Sequence, residues 1–350
     1  MLNSLRGLLS FRTGHMTRSF SDYVAKMRHV NRLKGNDDAC TSALKTGRIF
    51  LFHKLDPLVN RTKEGSLRTV GHTFSELELI LASLGAERDL IMDSILIGCS
   101  DQTQAQFCLD VGQVDRTQLQ EVCPGKCLDF RKALFLLAEA EAPLVAKAQA
   151  LLRWHQNNKF CSATGQRTQR NQSGSQRVGG GGRVYYPTMS PVAIFLPSDG
   201  KRCLLARQST FPPGMYSALA GFCDIGETLE DALRREAAEE VGLEVEAVTY
   251  SASQHWPLPH SSFMLACHAS VSPAHAEISM DQSELEDARW FTLEEVSAAL
   301  QVKTPPSRGE PTAMWLPPRH AIAHRLISEW VELQRIGQAR QGPVTVQHEP

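Results

Sequence analysis

The sequence lacks any apolar run of the roughly 18–20 residues that a membrane-spanning helix needs, so no membrane association is expected. It also lacks a strong net charge: 37 basic residues against 38 acidic ones leave a formal charge of −1. This balance excludes a general attraction to nucleic acid or to an anionic membrane, and function must be sought in local patterns. The 350 residues, 42% of them apolar, are enough for two globular domains.

The nine cysteines lack the repeated pairing of a disulfide framework or a zinc site. Their number is odd, and a chain of this size does not need disulfides to fold, so reduced thiols are expected. Only Cys123 and Cys127 lie close together, and no second pair completes a set of four metal ligands. We interpret both as ordinary thiols in a turn, since a metal or redox role would require further partners.

Acidic side chains are absent from residues 1–21, and the first acid is Asp22. The segment combines Arg6, Arg12 and Arg18 with serines, threonines and scattered leucines. This composition is typical of a basic amphipathic mitochondrial presequence. An unstructured amino terminus is the alternative. We favour import into the mitochondrial matrix.

Residues 45–155 alternate strand-like and helix-like patterns, which predicts a smaller α+β domain without an evident catalytic constellation. The helical pattern over residues 129–154 is expected to break before Pro143. The other expected elements are strands at 49–52, 95–98 and 105–111 and a helix at 74–84.

Residues 162–186 also lack acids, and they contain four consecutive glycines from Gly179 to Gly182. A phosphate-binding loop is one interpretation, but the Gly-Lys-Ser/Thr ending and the following helix of such loops are missing. The composition favours a flexible linker.

The chain becomes regular again over residues 187–336, where a mixed α/β sandwich is expected, followed by a polar tail at 337–350. The last helix is predicted from apolar residues at helical spacing. The expected elements are strands at 191–196, 203–206, 246–253, 262–270 and 288–291, a helix from Thr292 and a helix at 321–335.

One predicted helix in this region has an acidic face. Glu236, Glu239 and Glu240 are three and four residues apart and therefore project from one side of it. Clustered carboxylates repel one another in water, but a hard divalent cation such as Mg²⁺ or Mn²⁺ accepts them as ligands. On the helix alone, a solvated acidic surface is the simpler interpretation.

The spacing of the whole segment is more specific than its acidic face. Gly221 is followed after five residues by Glu227, after seven more by Arg235-Glu236, and then by Glu239-Glu240 and Gly242. This pattern resembles the Nudix box at every fixed position. The resemblance implies a Nudix α/β/α sandwich, preceded here by the smaller α+β domain. It also implies a set of metal-binding and catalytic residues, in which Arg235 orients the glutamates and one carboxylate helps to deprotonate the attacking water: Arg235, Glu236, Glu239 and Glu240.

A second motif begins ten residues past the box and reads Ser-Gln-His-Trp-Pro-Leu-Pro-His-Ser from Ser253 to Ser261. It resembles the Ser-Gln-Pro-Trp-Pro-Phe-Pro-x-Ser array of the NADH pyrophosphatase branch of Nudix enzymes, with His255 in place of proline and Leu258 in place of phenylalanine. Trp256 either fills the core or stacks on a flat ring of the substrate. The substrate-binding positions that the array implies are Gln254, Trp256, Pro257, Pro259 and Ser261.

The resemblance extends to isolated positions outside the two motifs. It implies a further metal-linked glutamate at Glu284, a metal-site position at Ala220, a ring-stacking position at Phe222 and a substrate position at Ala323. This branch commonly carries a zinc ribbon of two Cys-x-x-Cys pairs between its domains. Here the position three residues after Cys161 is Thr164 instead of cysteine, and glycines replace the second pair. No zinc is therefore expected.

The activity that the resemblance implies is hydrolysis, dependent on Mg²⁺ or Mn²⁺, of the diphosphate bond of NADH or NADPH. The products would be reduced nicotinamide mononucleotide and AMP, or 2′-phospho-AMP from NADPH. The same chemistry on ADP-ribose, coenzyme A or NAD-capped RNA is one alternative, and a non-catalytic nucleotide sensor is another. A homodimer is implied, and no nucleic-acid partner is expected apart from capped RNA ends.

Overall fold

The structure, a computed structural model, describes residues 20–63, 65–101, 103–138, 140–302 and 314–340. The chain divides into two compact units, Met1–Pro187 and Thr188–Pro350. All but the last two residues of the predicted presequence lie outside the described residues, as do residues 341–350 of the predicted tail. None of the described helices is both long enough and apolar enough to span a bilayer.

The first unit is built on a mixed sheet of short strands. Its helices are α1 (Phe20–Gly35), α2 (Asp37–Thr46), α3 (Phe74–Ser83), α4 (Arg116–Val122), α5 (Phe130–Leu136) and α6 (Ala142–Asn157). Its strands are β1 (Arg48–His53), β2 (Asp56–Arg61), β3 (Leu67–Thr69), β4 (Gly71–His72), β5 (Ile95–Cys99), β6 (Ala105–Asp110), β7 (Lys126–Cys127), β8 (Gln169–Arg170), β9 (Arg177–Val178) and β10 (Val184–Tyr185). The main sheet has the order β3-β2-β1-β6-β5, with β4 beside β1, β7 beside β2, and β1 parallel to β6.

Local sequence explains the predicted elements of this unit. Thr73 and Glu76 form a reciprocal capping box at the start of α3. The break before Pro143 is present, because α5 ends at Leu136 and proline occupies the first turn of α6, where its missing N–H is not needed. The nine cysteines are all described and are free thiols.

The second unit is a three-layer sandwich. Its elements are β11 (Ser190–Ser198), β12 (Cys203–Arg207), β13 (Leu219–Phe222), α7 (Leu229–Val241), β14 (Val245–Trp256), β15 (Ser262–Val271), β16 (Asp287–Phe291), α8 (Leu293–Ala299) and α9 (Ile322–Arg340). The sheet order is β14-β15-β11-β12-β16, with β13 paired to β11. One apolar core joins the sheet to α8 and α9, and another joins it to α7. The predicted α/β/α sandwich is therefore confirmed.

The flexible-linker interpretation of residues 162–186 is wrong. The segment contains an antiparallel three-stranded sheet with the order β10-β9-β8. Gly179 packs against Cys161, since an added Cβ would lie 3.0 Å from the Cβ of that cysteine. The Tyr185 hydroxyl donates to the Cys161 thiol at 3.0 Å. Composition suggested a linker because the segment is held together by polar contacts and has little apolar periodicity.

The half-buried Arg177 and the buried His155 form a pair that fastens this small sheet to α6. Arg177 donates through Nε to Thr168 Oγ1 at 2.6 Å and through NH2 to the Thr168 carbonyl at 2.9 Å. The His155 ring joins the Gly174 carbonyl through Nε2 at 2.8 Å and Arg177 NH1 through Nδ1 at 3.0 Å. Because a carbonyl only accepts, Nε2 carries the proton and Nδ1 accepts from Arg177. Burial lowers the pKa of His155 to about 4, so the ring is neutral at physiological pH.

We predict that Arg177→Ala loosens this sheet locally. Leaving Thr168 and His155 without their partner should cost about 1–3 kcal/mol, and amides of β8 and β9 should exchange roughly ten- to a hundredfold faster. Hydrogen exchange followed by mass spectrometry checks this, with the exposed Arg183→Ala as the matched control. Faster exchange on adding a chelator, with no effect of Arg177→Ala, would show that a metal holds the segment instead.

In the second unit, the half-buried carboxylate of Glu329 fastens α9 to the sheet. Glu329 accepts hydrogen bonds from Ser251 on β14 and from Arg325 Nε at 2.8 Å, and its carboxylate lies 3.5 Å from His268 Nε2 on β15. Burial alone would raise the pKa of Glu329, but these three partners outweigh it and lower the pKa to about 2. The charged form of Glu329 therefore stabilises the fold.

Glu329→Gln is predicted to lower the free energy of unfolding of this unit by about 2–3 kcal/mol at pH 7. Because the folded pKa lies below the ordinary value of 4.5, the stabilisation is complete above pH 4.5 and is lost as the pH falls through about 2. Urea titrations should show a gap between wild type and variant that shrinks by about half or more between pH 7 and pH 3. The exposed Glu332→Gln is the control; an equal gap at both pH values would contradict the assignment.

Candidate active site

The acidic helix predicted from the sequence is α7. Thr228 caps its first turn by accepting from the Asp231 N–H at 3.1 Å. Gly242 ends it with φ of +68°, in the left-handed region that favours glycine. These two ends fix the helix so that Glu236 and Glu240 are buried while Glu239 is exposed.

Strand β13 leads into the box and explains its first glycine. Gly221 pairs with Ala193 of β11, and its Cα faces the carboxylate of Glu236. A Cβ added at this position would overlap that carboxylate. Glycine is therefore required here for space, and the close approach lets Glu236 lie against the strand.

Arg235 links the loop before α7 to the acidic face. Its Nε donates to Glu227 at 2.7 Å, and NH2 donates to the Phe222 carbonyl at 2.7 Å. Its NH1 donates to Glu236 at 2.9 Å and to Glu239 at 2.8 Å. These hydrogen bonds raise the pKa of Arg235 further above its ordinary value, and the hydrogen bonds from Arg235 lower the pKa of Glu227. One guanidinium thus orients three carboxylates.

Glu240 is the buried centre of the cluster. Burial, reinforced by the charges of Glu236, Glu284 and Glu239, raises its pKa to about 8. Burial likewise raises the pKa of Glu236. The Oε2 atom of Glu240 is buried and has no hydrogen-bond partner among the described residues. Such an atom carries a desolvation cost that a cation would offset.

Backbone contacts bring Glu284 to the same place. The N–H of Ser279 donates to the Val241 carbonyl at 2.9 Å, and that of Asp281 donates to the Glu240 carbonyl at 3.0 Å. The loop from Ser279 therefore lies along the end of α7, with the exposed Glu284 near enough to raise the pKa of Glu240.

The donor set fits a hard divalent cation. Carboxylate oxygens are its preferred ligands, and the Glu240 oxygen that no described residue contacts by a hydrogen bond offers one inside the cluster. The described residues do not form a finished cage, since no group of three acidic, histidine or cysteine side chains among them has metal-site spacing. The cage is incomplete because Arg235 holds Glu236 and Glu239 through hydrogen bonds from its guanidinium group.

The motif at residues 253–261, which the sequence predicts to bind substrate, begins on β14 of the same sheet. The strand register places Phe222, Val192, Met264 and Gln254 in one row across β13, β11, β15 and β14. Four neighbouring strands span about 14 Å. Phe222 is 53% exposed and Trp256 partly exposed, so neither ring fills the core.

Gln254 joins the array to the start of α9. Its amide nitrogen donates to the His320 carbonyl at 2.7 Å, and its amide oxygen accepts from the Ile322 N–H at 2.8 Å. The buried Ala323 follows directly. Backbone groups at the start of α9 hold both polar atoms of this amide, so the geometry assigns Gln254 first to holding α9 in place.

Sequence reasoning missed this link and the anchoring role of Glu329. The partners of Gln254, which are His320 and Ile322, lie 66 and 68 positions further along the chain. Ser251 and Glu329 are 78 positions apart. Nothing in local spacing indicates such pairs. A polar residue at a helical position otherwise facing the core, as Glu329 does, is the one feature that could have drawn attention to it.

This fold and this acidic helix define a Nudix hydrolase, and family models agree. The model of the NUDIX domain matches residues 187–314, and that of the NADH pyrophosphatase-like rudimentary NUDIX domain matches residues 46–154. The first unit therefore resembles a reduced copy of the fold, which the sequence alone did not indicate.

Comparison with known proteins narrows the class. The chain is 50% identical over 329 residues to the human mitochondrial NAD(P)H pyrophosphatase NUDT13, covering 91% of this chain and 93% of that one. The mouse protein of the same name is 48% identical over 336 residues, covering 90% and 93%. The Caenorhabditis elegans NAD-capped RNA hydrolase ndx-9 is 32% identical over 339 residues, covering 89% and 90%. The chain belongs to the NADH pyrophosphatase branch of the Nudix hydrolase family.

We predict that Gly221→Ala lowers turnover by about 10- to 100-fold, because the new methyl group displaces the Glu236 carboxylate, a loss comparable to that of a supporting metal-site contact. Steady-state kinetics on the purified variant measure this. Gly337→Ala on α9 is the matched control, since nothing lies within 4 Å of a Cβ added there. Full activity in Gly221→Ala would show that the position of Glu236 does not matter.

Proposed function

We propose that the chain is a mitochondrial matrix enzyme that uses Mg²⁺ or Mn²⁺ to hydrolyse the diphosphate bond of NADH and NADPH. The products are reduced nicotinamide mononucleotide and AMP, or 2′-phospho-AMP from NADPH. The observation that carries the proposal is the carboxylate cluster on α7, in which a buried oxygen of Glu240 has no hydrogen-bond partner in the described part of the chain. The names of two relatives that match almost the whole chain support the substrate and the compartment.

The side chains divide the work by their burial. Glu236 and Glu240 are buried and suited to hold the cation, with Glu239 and Glu284 at its open side. A bound divalent cation neutralises phosphate charge and lowers the pKa of a coordinated water. Glu239 is 57% exposed at its side chain and is the carboxylate that can take a proton from water attacking the diphosphate. Arg235 holds Glu236 and Glu239 in fixed orientations through its hydrogen bonds.

The substrate rings are assigned to two aromatic side chains outside the core, the exposed Phe222 and the partly exposed Trp256. Phe222, on the strand entering the box, offers a face for stacking, and Trp256 offers a second. Ala323 at the start of α9 is buried in the core of this unit, and its place in the substrate site is inferred from the family resemblance. Pro257, Pro259 and Ser261 shape the loop between β14 and β15 that would close over the dinucleotide.

NAD-capped RNA is a second candidate substrate. The relative from Caenorhabditis elegans and the human NUDT12, which is 43% identical over 212 residues, are both named NAD-capped RNA hydrolases. That human match covers 57% of this chain and 44% of the relative. Family resemblance also supports a homodimer, which light scattering after size exclusion would test.

The test is a product assay with NADH, NADPH, NAD⁺, ADP-ribose and NAD-capped RNA at fixed Mg²⁺ or Mn²⁺. We expect the highest kcat/KM on the reduced dinucleotides, with mononucleotide products. Glu240→Gln should lose at least about 10- to 100-fold in kcat, since removing a ligand costs no less than removing its supporting contacts. Glu230→Gln, an exposed acid on the same helix, should keep activity.

Three results would count against the proposal. Equal rates on all substrates would remove the NADH preference. Higher efficiency on ADP-ribose or capped RNA would move the activity to those substrates. Unchanged turnover in Glu240→Gln would remove the catalytic role of the cluster and favour a sensor.

A further inference from the structure

The loop of the array is closed at its base. Trp256 is the last residue of β14 and pairs with Ser262, the first residue of β15. Residues 257–261 therefore form the loop, and any contact between its two ends sets its shape. The chain differs from the family array at His255, directly before Trp256.

Ser261, at the far end of the loop, has a conformation that needs support. Its φ is +63°, in the left-handed region that residues with a Cβ seldom adopt. A residue keeps such a conformation only where several contacts with its surroundings hold it there. Its N–H donates to the Pro257 carbonyl at 3.3 Å, and its carbonyl accepts from the Ser190 N–H at 3.0 Å.

The third contact comes from His255. Its Nε2 lies 2.9 Å from the Ser261 hydroxyl, and both side chains are half-buried. Burial lowers the pKa of His255, so the neutral ring offers one donor and one acceptor, and the hydroxyl can rotate to match either. The bond therefore forms with either tautomer.

We propose that His255 is a positioning residue of the substrate site. Its bond to Ser261 closes the loop across its base and fixes the direction in which Trp256 is presented. It does so in place of the φ restriction that a proline at this position would supply. The inference rests on the proposed function, because it takes the array to be the substrate site.

The variants His255→Ala, His255→Pro and Ser261→Ala, together with the double variant His255→Pro/Ser261→Ala, test this. His275→Ala is the matched control, an exposed histidine beyond the opposite end of β15. For each, kcat and KM are measured with NADH at saturating Mg²⁺. Hydrogen exchange of peptides covering residues 254–264 is measured on the same samples without substrate.

We expect His255→Ala to raise KM about tenfold with kcat changed less than threefold, because the loop presents the ring but does not perform the chemistry. His255→Pro should restore KM to within about threefold of wild type, since proline stiffens the chain by another route. Ser261→Ala should behave like His255→Ala, yet add nothing in the His255→Pro background.

The result that overturns the proposal is a KM in His255→Ala equal to wild type, or one that His255→Pro does not restore. An equal cost of Ser261→Ala in both backgrounds would also overturn it, because Ser261 would then act on the substrate and not through His255. If wild type does not hydrolyse NADH, the proposed function fails separately. The exchange data still test whether the His255–Ser261 hydrogen bond holds the loop. That bond predicts faster exchange of residues 254–264 in His255→Ala than in His255→Pro. Equal exchange in the two variants refutes it.

Discussion

The burial of like charges on one face of α7 is the constraint on which the second unit depends. Glu236 and Glu240 are both buried, and removing a carboxylate from water costs several kcal/mol unless it is paired. Arg235 offsets this cost for Glu236 but not for Glu240, whose outer oxygen has no partner among the described residues. The carboxylate chemistry of the cluster fits the divalent cation that we propose for this site.

The rest of the unit can be understood as support for that cluster. Gly221 gives the Glu236 carboxylate its space on β13, and the loop containing Glu284 follows the end of α7 through backbone hydrogen bonds. On the other face of the sheet, Gln254 and Glu329 fix α9 against β14 and β15. The strand register then places Phe222 and Gln254 in one row across the sheet against which α7 packs.

Sequence predicted the parts governed by local rules. Residue patterns predicted the helices of the sandwich and all of its described strands except β13, because such patterns depend on neighbours a few residues apart. It did not predict the fold of residues 162–186, whose sheet depends on Arg177 reaching Thr168 and His155. Nor could it predict the His255–Ser261 contact, since a shared hydrogen bond leaves no periodic trace.

Electron paramagnetic resonance with Mn²⁺ tests the central claim most directly, because it reports cation binding without substrate or turnover. The account predicts that wild-type protein removes free Mn²⁺ signal on titration. It also predicts that glutamine at both Glu236 and Glu240 abolishes this binding while the circular dichroism spectrum is retained. Equal Mn²⁺ binding by the folded double variant and by wild type would contradict the assignment of α7 as the cation site.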